Sequence, residues 1–416
     1  MVNTNFCQLR TPYQMTIATV RIEIAKKTKR ISHLVNTMQS NSIPQSDKSN
    51  NSAEISTKPD NFPYYVTLFF MSQLDFLNPQ HGPFFVAEIS GNHNGDLDRC
   101  LNLITLAKNS GADAVKFQTF TPESMTLDID LPEFKVSNDH ILWGGKKLIE
   151  LYRESVTPKE WFPKLFKHAR NLGIMAFSTP FDVDSVDFLE TLGCPVYKVA
   201  SLETGDLNLI KRIIQTEKPM IVSTGATLMN EINDIWELCQ KENYKDVVFL
   251  ICTSSYPAMP GDAHLRRLEI LKTSFSNLVG ISDHTLGIGT AIAAISLGAT
   301  VVEKHFTDSR LIEGLDSKFS MEPDEFKNLV EQGKIAFESL GRRNWAITKS
   351  ESESRRLRRS LYISTDVYKN EVVTLANIIS IRPGYGLPPK YLSEILGKRF
   401  TNDFQRGTAL KLEYVE

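Results

Sequence analysis

The sequence predicts an α/β chain: a (β/α)8 TIM barrel followed by a small C-terminal β-rich domain. Three observations predict it. From Phe84 onward, a short apolar run, a polar stop and a helical stretch recur eight times. The runs are spaced about 20–35 residues apart, with one longer gap, as strand–helix units of a barrel require. Every apolar run ends in polar side chains, at the rim where barrels place their active sites. An open doubly wound sheet would instead need a glycine-rich phosphate turn after the first strand, and GNHNGD is not GxGxxG.

In chain order, the expected strands are FFVAEI (84–89), DAVKFQ (113–118), IMAFST (174–179), VYKVAS (196–201), PMIVST (219–224), VVFLICT (247–253), VGISD (279–283) and TVVEKHF (300–306). The stretch LDRCLNLITLAKNSG between the first two has helical periodicity and ends in a glycine suited to a left-handed cap. Residues 121–157 make the longer gap, a lid or an extra helix on the C-terminal face. GIGTAI at 287–292 lacks the third glycine of a nucleotide loop and reads as a helix start. The helix MEPDEFKNLVEQGKIAFESL closes the barrel, with Phe326, Leu329, Val330, Phe337 and Leu340 on its apolar face. The barrel is thus expected over 81–341, a linker over 342–353, and the second domain over 354–416.

Residues 1–80 differ in kind. QSNSIPQSDKSNNSAEISTKPDN has too few apolar residues to bury a core and reads as disordered. Met71, just before the dense pattern, is an alternative natural start, with the upstream residues an over-extended reading frame. KKTKR at 26–30 reads as a solvated charge run.

The 416 residues carry a formal net charge of −2, which offers nothing to nucleic acid or an anionic membrane surface. No apolar run approaches the roughly 18 residues of a spanning helix. The five cysteines (Cys7, Cys100, Cys194, Cys239 and Cys252) are scattered and odd in number, as reduced thiols in a cytoplasm would be.

The strand ends carry the chemistry. Lys116 and Gln118 share a face by alternation, as do Glu303 with His305 and Ser282 with His284. Lys116 and Lys198 inside one barrel mouth are costly unless an anion meets them, and the hydroxyls of Thr179, Ser201, Ser223 and Ser282 would complete a cradle for a small phosphorylated carboxylate. Structural ion pairs to Glu88 and Glu303 are the competing explanation for the lysines. His284 and His305 end neighbouring strands, where two imidazoles with open positions suit a divalent metal.

The motifs AEISGNHNGDLDR, GADAVKFQT, FSTPFD, YKVAS, STGA, CTSSYP, GISDHTLG, EKHFTD and RRSLY…IRPGYG, in that order, resemble the sialic-acid synthase family over about residues 82–416. The resemblance implies a barrel followed by an antifreeze-like (SAF) domain, in a domain-swapped homodimer. It implies condensation of phosphoenolpyruvate with an acetamido sugar, aided by a divalent cation (Mn2+, Mg2+ or Co2+). Carried over by position, it implies that Lys116, Thr179, Lys198, Ser201, Ser223 and Ser282 hold phosphoenolpyruvate, and that His284 and His305 hold the metal. Glu88 orients or deprotonates water, with Glu303, then Asp283, as fallback bases. Gln118, Glu203, Tyr256, Asp316 and, from the second subunit, Arg382 contact the sugar.

Ser254 in CTSSYP stands where N-acetylneuraminate synthases carry Asn. That departure, with the loop LWGGKKLIELY, favours 2,4-diacetamido-2,4,6-trideoxy-altrose as the sugar over the substrates of N-acetylneuraminate or legionaminate synthases. A Schiff-base aldolase acting through Lys198 is the alternative from another enzyme class, and a C-terminal domain acting only as a glycan- or ice-binding module is the non-enzymatic one.

Overall fold

The structure is a computed structural model that describes residues 74–77, 81–137, 143–276 and 278–416. The Met1–Val66 unit, and with it KKTKR, Cys7 and QSNSIPQSDKSNNSAEISTKPDN, lies outside the described residues, as does Met71; of the stretch 1–80 expected to be disordered, residues 74–77 are described, and Leu74 and Leu77 are buried in the core.

Eight parallel strands close into a barrel: β1 (Phe84–Glu88), β2 (Ala114–Thr119), β3 (Met175–Pro180), β4 (Tyr197–Val199), β5 (Met220–Ser223), β6 (Val247–Cys252), β7 (Val279–Ser282) and β8 (Val301–His305). Their order follows the chain, and β8 pairs back onto β1. The strands are buried almost throughout, because helices cover the outside and side chains fill the inside, so each reads as a continuous apolar run rather than an alternating one. β4 is shorter than its apolar run: Ser201 opens a 3-10 turn, Ser201–Glu203, instead of ending the strand.

Local signals set the helix ends. The helix Leu97–Asn109 starts where the Asp96 carboxylate accepts from the Asp98 and Arg99 amides, and it gives way to Gly111 at φ +86°, a conformation that glycine adopts without strain. His93 of the GNHNGD turn is a core residue: it bonds to Thr157 Oγ1 at 3.0 Å and packs edge-on against Trp161, and burial holds its imidazole down to about 4. GIGTAI does start a helix, Gly289–Ser296. The closing helix, Pro323–Ser339, buries Phe326, Leu329 and Val330, whereas Leu340 is its C-cap and is half exposed, so the apolar face ends one turn earlier than the periodicity implied.

In its described residues, the long connection after β2 holds several short elements. A helical turn (Pro122–Met125), a 3-10 turn (Pro132–Phe134) and a bridge between Lys135 and Lys147 lead to an extra helix, Leu148–Ser155. The C-terminal segment opens with a helix the sequence reading did not foresee, Glu351–Arg356. Beyond it, β9 (Ser360–Ile363) and β10 (Ile378–Ile381) pair antiparallel. A separate core, including Leu361, Val373, Phe400 and Leu410, holds this segment together. Among the described residues, no helix is long and apolar enough to cross a membrane.

Candidate active site

Parallel register brings the polar strand ends side by side. Glu88 is level with Lys116 on one side and His305 on the other, Gln118 with Thr179, and Ser282 with Glu303. Alternation then sends these side chains into the barrel mouth. They line a cavity of about 500 Å³. Every residue expected at the site faces it (Glu88, Lys116, Gln118, Thr179, Lys198, Ser201, Glu203, Ser223, Tyr256, Ser282, His284, His305 and Asp316) except Arg382. Arg382 is exposed just beyond β10 in the C-terminal segment.

The floor is a network of four charges. Lys116 Nζ lies 2.6 Å from Glu88 Oε2 and 3.8 Å from Glu303 Oε1, and it donates to Thr179 Oγ1 at 3.1 Å. Lys198 Nζ meets Glu303 Oε1 at 3.3 Å, and the Ser282 hydroxyl donates to the same oxygen at 2.9 Å. The ion pairs offered as the competing explanation for the lysines are therefore present, with the hydroxyls gathered around them.

The two carboxylates are pushed apart. Burial raises Glu88, and Lys116 only partly offsets it. Burial would also raise Glu303, but Lys116 and Lys198 outweigh it and hold the carboxyl at about 2. Glu303 is thus a fixed anion and a poor base, while Glu88 is the group able to carry a proton. Asp283 fails as a fallback base for a plainer reason. It lies outside the cavity lining, one residue out of phase with Ser282 and His284, and pairs with Lys304.

On the neighbouring wall the His284 and His305 ring centroids are 5.3 Å apart, and Tyr256 stacks on His284 at 4.3 Å. His284 Nδ1 donates to the Thr253 carbonyl at 2.9 Å, which fixes the orientation of the ring at the cavity wall. Burial draws the His284 imidazole down, but Cys252 and the Thr253 carbonyl more than compensate and leave it above its ordinary value. His305 is the opposite: burial, then the nearby His284 and lysine charges, keep it neutral. Among the described residues no cluster of three or more His, Cys, Asp or Glu side chains is arranged to hold a metal.

Apart from Glu88 Oε2, which has the Lys116 ammonium 2.6 Å away, three cavity-lining atoms are buried without a hydrogen-bond partner: Ser223 Oγ, Glu203 Oε2 and His305 Nδ1. Such atoms are costly unless something completes them. Burial also raises the Glu203 carboxyl to about 7.

The sequence reading missed several contributors. Ser90, at φ +48°, accepts from Gln118 Nε2 at 3.0 Å and donates to Asp316, joining β1 and β2 to the loop after β8. Cys252 lines the cavity beside His284; burial pushes its thiol up, yet His284 and Lys198 bring it below the ordinary range. Phe120 and Met125, from the long connection after β2, add apolar lining to the same cavity, beside Leu148, Leu151 and Tyr152 of the LWGGKKLIELY loop that the sequence did single out. Trp143 joins them, 6.3 Å from the Tyr256 ring. The length of the gap after the second strand was the available signal for that lining.

A charged floor, hydroxyls and paired imidazoles at the mouth of an eight-stranded barrel make a polar, anion-suited cavity where barrel enzymes carry their active sites. The chain belongs to the NeuB family, whose pattern matches residues 103–344, and residues 358–416 match a SAF domain. It is an enzyme of the sialic-acid-synthase type. It is 41% identical over 339 residues to the pseudaminic acid synthase of Campylobacter jejuni, covering 82% of this chain and 98% of that protein. It is 40% identical over 335 residues to the pseudaminic acid synthase of Helicobacter pylori, covering 80% and 98%. Among solved structures, an N-acetylneuraminic acid synthetase from Leptospira borgpetersenii, in complex with citrate, superposes with a TM-score of 0.59 at 29% identity, over 66% of this chain and 90% of that one.

Proposed function

We propose that the enzyme condenses phosphoenolpyruvate with 2,4-diacetamido-2,4,6-trideoxy-altrose and water, giving pseudaminic acid and phosphate. One observation carries the reading: a buried lysine pair set in hydroxyls and a group of apolar side chains from the long connection after β2 line the same cavity. The first half suits a phosphorylated carboxylate. The second suits the methyl carbon of a 6-deoxy sugar and the methyls of two acetamido groups, where a sugar hydroxyl would lie against hydrocarbon unpaired.

Lys116 and Lys198, with Thr179, Ser201, Ser223 and Ser282, hold the phosphate and carboxylate of phosphoenolpyruvate. Gln118, Glu203, Tyr256 and Asp316 orient the sugar, and the unpartnered Glu203 and Ser223 oxygens gain partners from the two substrates. His284 and His305 hold a divalent cation (Mn2+, Mg2+ or Co2+), which when bound polarises the sugar aldehyde. The new bond joins C3 of the enol to the aldehyde carbon, whose oxygen takes up the proton that Glu88 carries, leaving Glu88 as a carboxylate. Water adds at the cationic C2, and the C2–O bond to phosphate breaks. Glu88 receives the proton that water sheds, since burial raises its carboxyl whereas the two lysines hold Glu303 low. The lysines neutralise the departing phosphate.

Arg382 lies outside the cavity lining, so its expected contact with the sugar belongs to a second subunit in a domain-swapped homodimer. The loops around the barrel mouth expose Leu202, Met259, Leu286 and Leu311, an apolar rim that supports such a cover. The described cysteines are all free and buried, in keeping with the cytoplasm, where phosphoenolpyruvate is made.

The test is phosphate release from phosphoenolpyruvate across a panel of diacetamido and monoacetamido sugars, with and without chelator. Fastest turnover with the altro 6-deoxy diacetamido sugar, lost on chelation and restored by Mn2+, is expected. Preference for N-acetylmannosamine would overturn the substrate reading, and full activity in chelator would overturn the metal.

A further inference from the structure

Lys304 is the anomaly of the barrel wall. It sits between Glu303 and His305, so alternation turns it outward, away from the cavity that both neighbours line. The outward positions below it on β7 and β8, Ile281 and Val302, are apolar, as the layer between strands and helices requires. Lys304 is nevertheless 1% exposed and among the largest fully buried side chains.

All three of its ammonium protons are used. Lys304 Nζ meets Asp283 Oδ2 at 2.9 Å, the Thr285 carbonyl at 2.6 Å and the Gly287 carbonyl at 2.9 Å. Asp283 closes the arrangement from the other side, accepting from the Thr285 amide at 2.9 Å through Oδ1 and donating its own amide to the Glu303 carbonyl at 2.9 Å. Gly287, at φ +73°, turns the chain so that its carbonyl returns to the ammonium. The segment from Asp283 to Gly287 is therefore wrapped around one cation carried by β8, and His284 is inside that segment. His284 has its remaining anchors on the β6 side, where its carbonyl accepts from Ala258 and its Nδ1 donates to Thr253.

Stability alone is a poor reason for this pair. Two buried charges lose in desolvation about what they gain from each other, and apolar side chains of similar volume serve as well or better. What an apolar pair lacks is direction. Three convergent hydrogen bonds from a cation adjacent to His305 fix where His284 stands.

We propose that Lys304 is a positioning residue. From outside the barrel it holds the ends of β7 and β8 so that His284 and His305 can share one divalent cation. The proposal rests on the two-imidazole reading of the site. It assigns Lys304 no contact with either substrate.

The experiment is Mn2+ titration of the full chain without substrates, followed by the electron paramagnetic resonance signal of free Mn2+, with a urea midpoint on each protein. Wild type is compared with Lys304→Met and with the double variant Lys304→Met/Asp283→Leu. Outer-shell partners of metal ligands typically change affinity about 10–100-fold, and that loss is expected in both variants. The double variant, which buries no unpaired charge, should recover the urea midpoint that the single variant loses while its Mn2+ affinity stays low. It also carries the test if Lys304→Met alone does not fold. In whichever variant turns over, KM for phosphoenolpyruvate should stay within about twofold of wild type, because the lysine floor is untouched.

Mn2+ affinity in the double variant equal to wild type, or returning in step with stability, would make Lys304 merely structural and overturn the proposal alone. Failure of wild type to bind Mn2+ would overturn the two-imidazole reading, and this proposal with it.

Discussion

Glu303→Gln is the most informative single change in the floor. Glu303 Oε1 is the shared partner of Lys116 at 3.8 Å, Lys198 at 3.3 Å and Ser282 at 2.9 Å. The amide keeps the shape and can keep the serine bond, but it removes the charge, leaving two buried ammonium groups with Glu88 alone. The lysines hold the Glu303 carboxyl at about 2, against an ordinary value of 4.5. That depression corresponds to about 3 kcal/mol of stability at neutral pH. Breaking a buried pair by removing one partner costs about 3–5 kcal/mol, a second view of the same interaction rather than an addition to it.

The sign follows from the direction of the shift. A depressed carboxyl contributes its stability above the unfolded value, near pH 4.5, and loses it as pH falls toward 2. Urea unfolding at pH 7 should therefore place the variant about 3–5 kcal/mol below wild type, and the gap should narrow as pH drops below about 4.5. Millimolar phosphate should raise the variant's midpoint more than wild type's, since an anion replaces the missing charge. A variant within about 1 kcal/mol of wild type at pH 7, indifferent to phosphate, would refute both the ion-pair arithmetic and the anion-binding floor.

Further outcomes follow from other parts of the structure. Glu203 is raised by burial to about 7, so the native state holds an extra proton and stability falls as pH rises from about 4.5 through 7. Glu203→Gln should lack that fall, gaining about 1–3 kcal/mol relative to wild type between pH 4.5 and 8 in urea unfolding, and parallel curves would count against it. Gly280→Ala would put a Cβ against the Val301 carbonyl and 2.7 Å from Leu250 Cδ2, wedging β7 from β8, and should cost at least about 1–3 kcal/mol in the same measurement. If Arg382 serves the partner's cavity, inactive Arg382→Ala and inactive Lys116→Met chains refolded together should regain roughly a quarter of wild-type turnover, from the mixed dimers with one intact site. Zero recovery in demonstrably mixed dimers would place Arg382 in its own subunit's site or in none.

Much of this protein is legible in its sequence, for identifiable reasons. Strands buried on both faces are apolar runs, and a barrel that follows chain order needs no long-range information to arrange them. All eight strands lie within a residue or two of their expected positions, and the period of two assigned Lys116, Gln118, Ser282, Glu303 and His305 to the cavity. The same rule, applied strictly, would have removed Asp283 from the list of bases, since it is out of phase with Ser282.

Tertiary structure decided what depends on distance across the barrel. Lys116 and Lys198 come from β2 and β4, and only the closed sheet brings both to Glu303 and so separates a fixed anion from the proton-carrying Glu88. The apolar lining was only partly legible: Leu148, Leu151 and Tyr152 follow the helical spacing of Leu148–Ser155, but Phe120, Met125 and Trp143 come from separate pieces of the connection that only the folded chain brings to the same cavity. Lys304 was unreadable: in sequence it is one more charge beside a histidine, and its role emerges only where three acceptors converge on it from a neighbouring loop. Local backbone geometry sets which way a residue points, and sequence reports that; how charges shift one another depends on separation in space, which sequence does not encode locally.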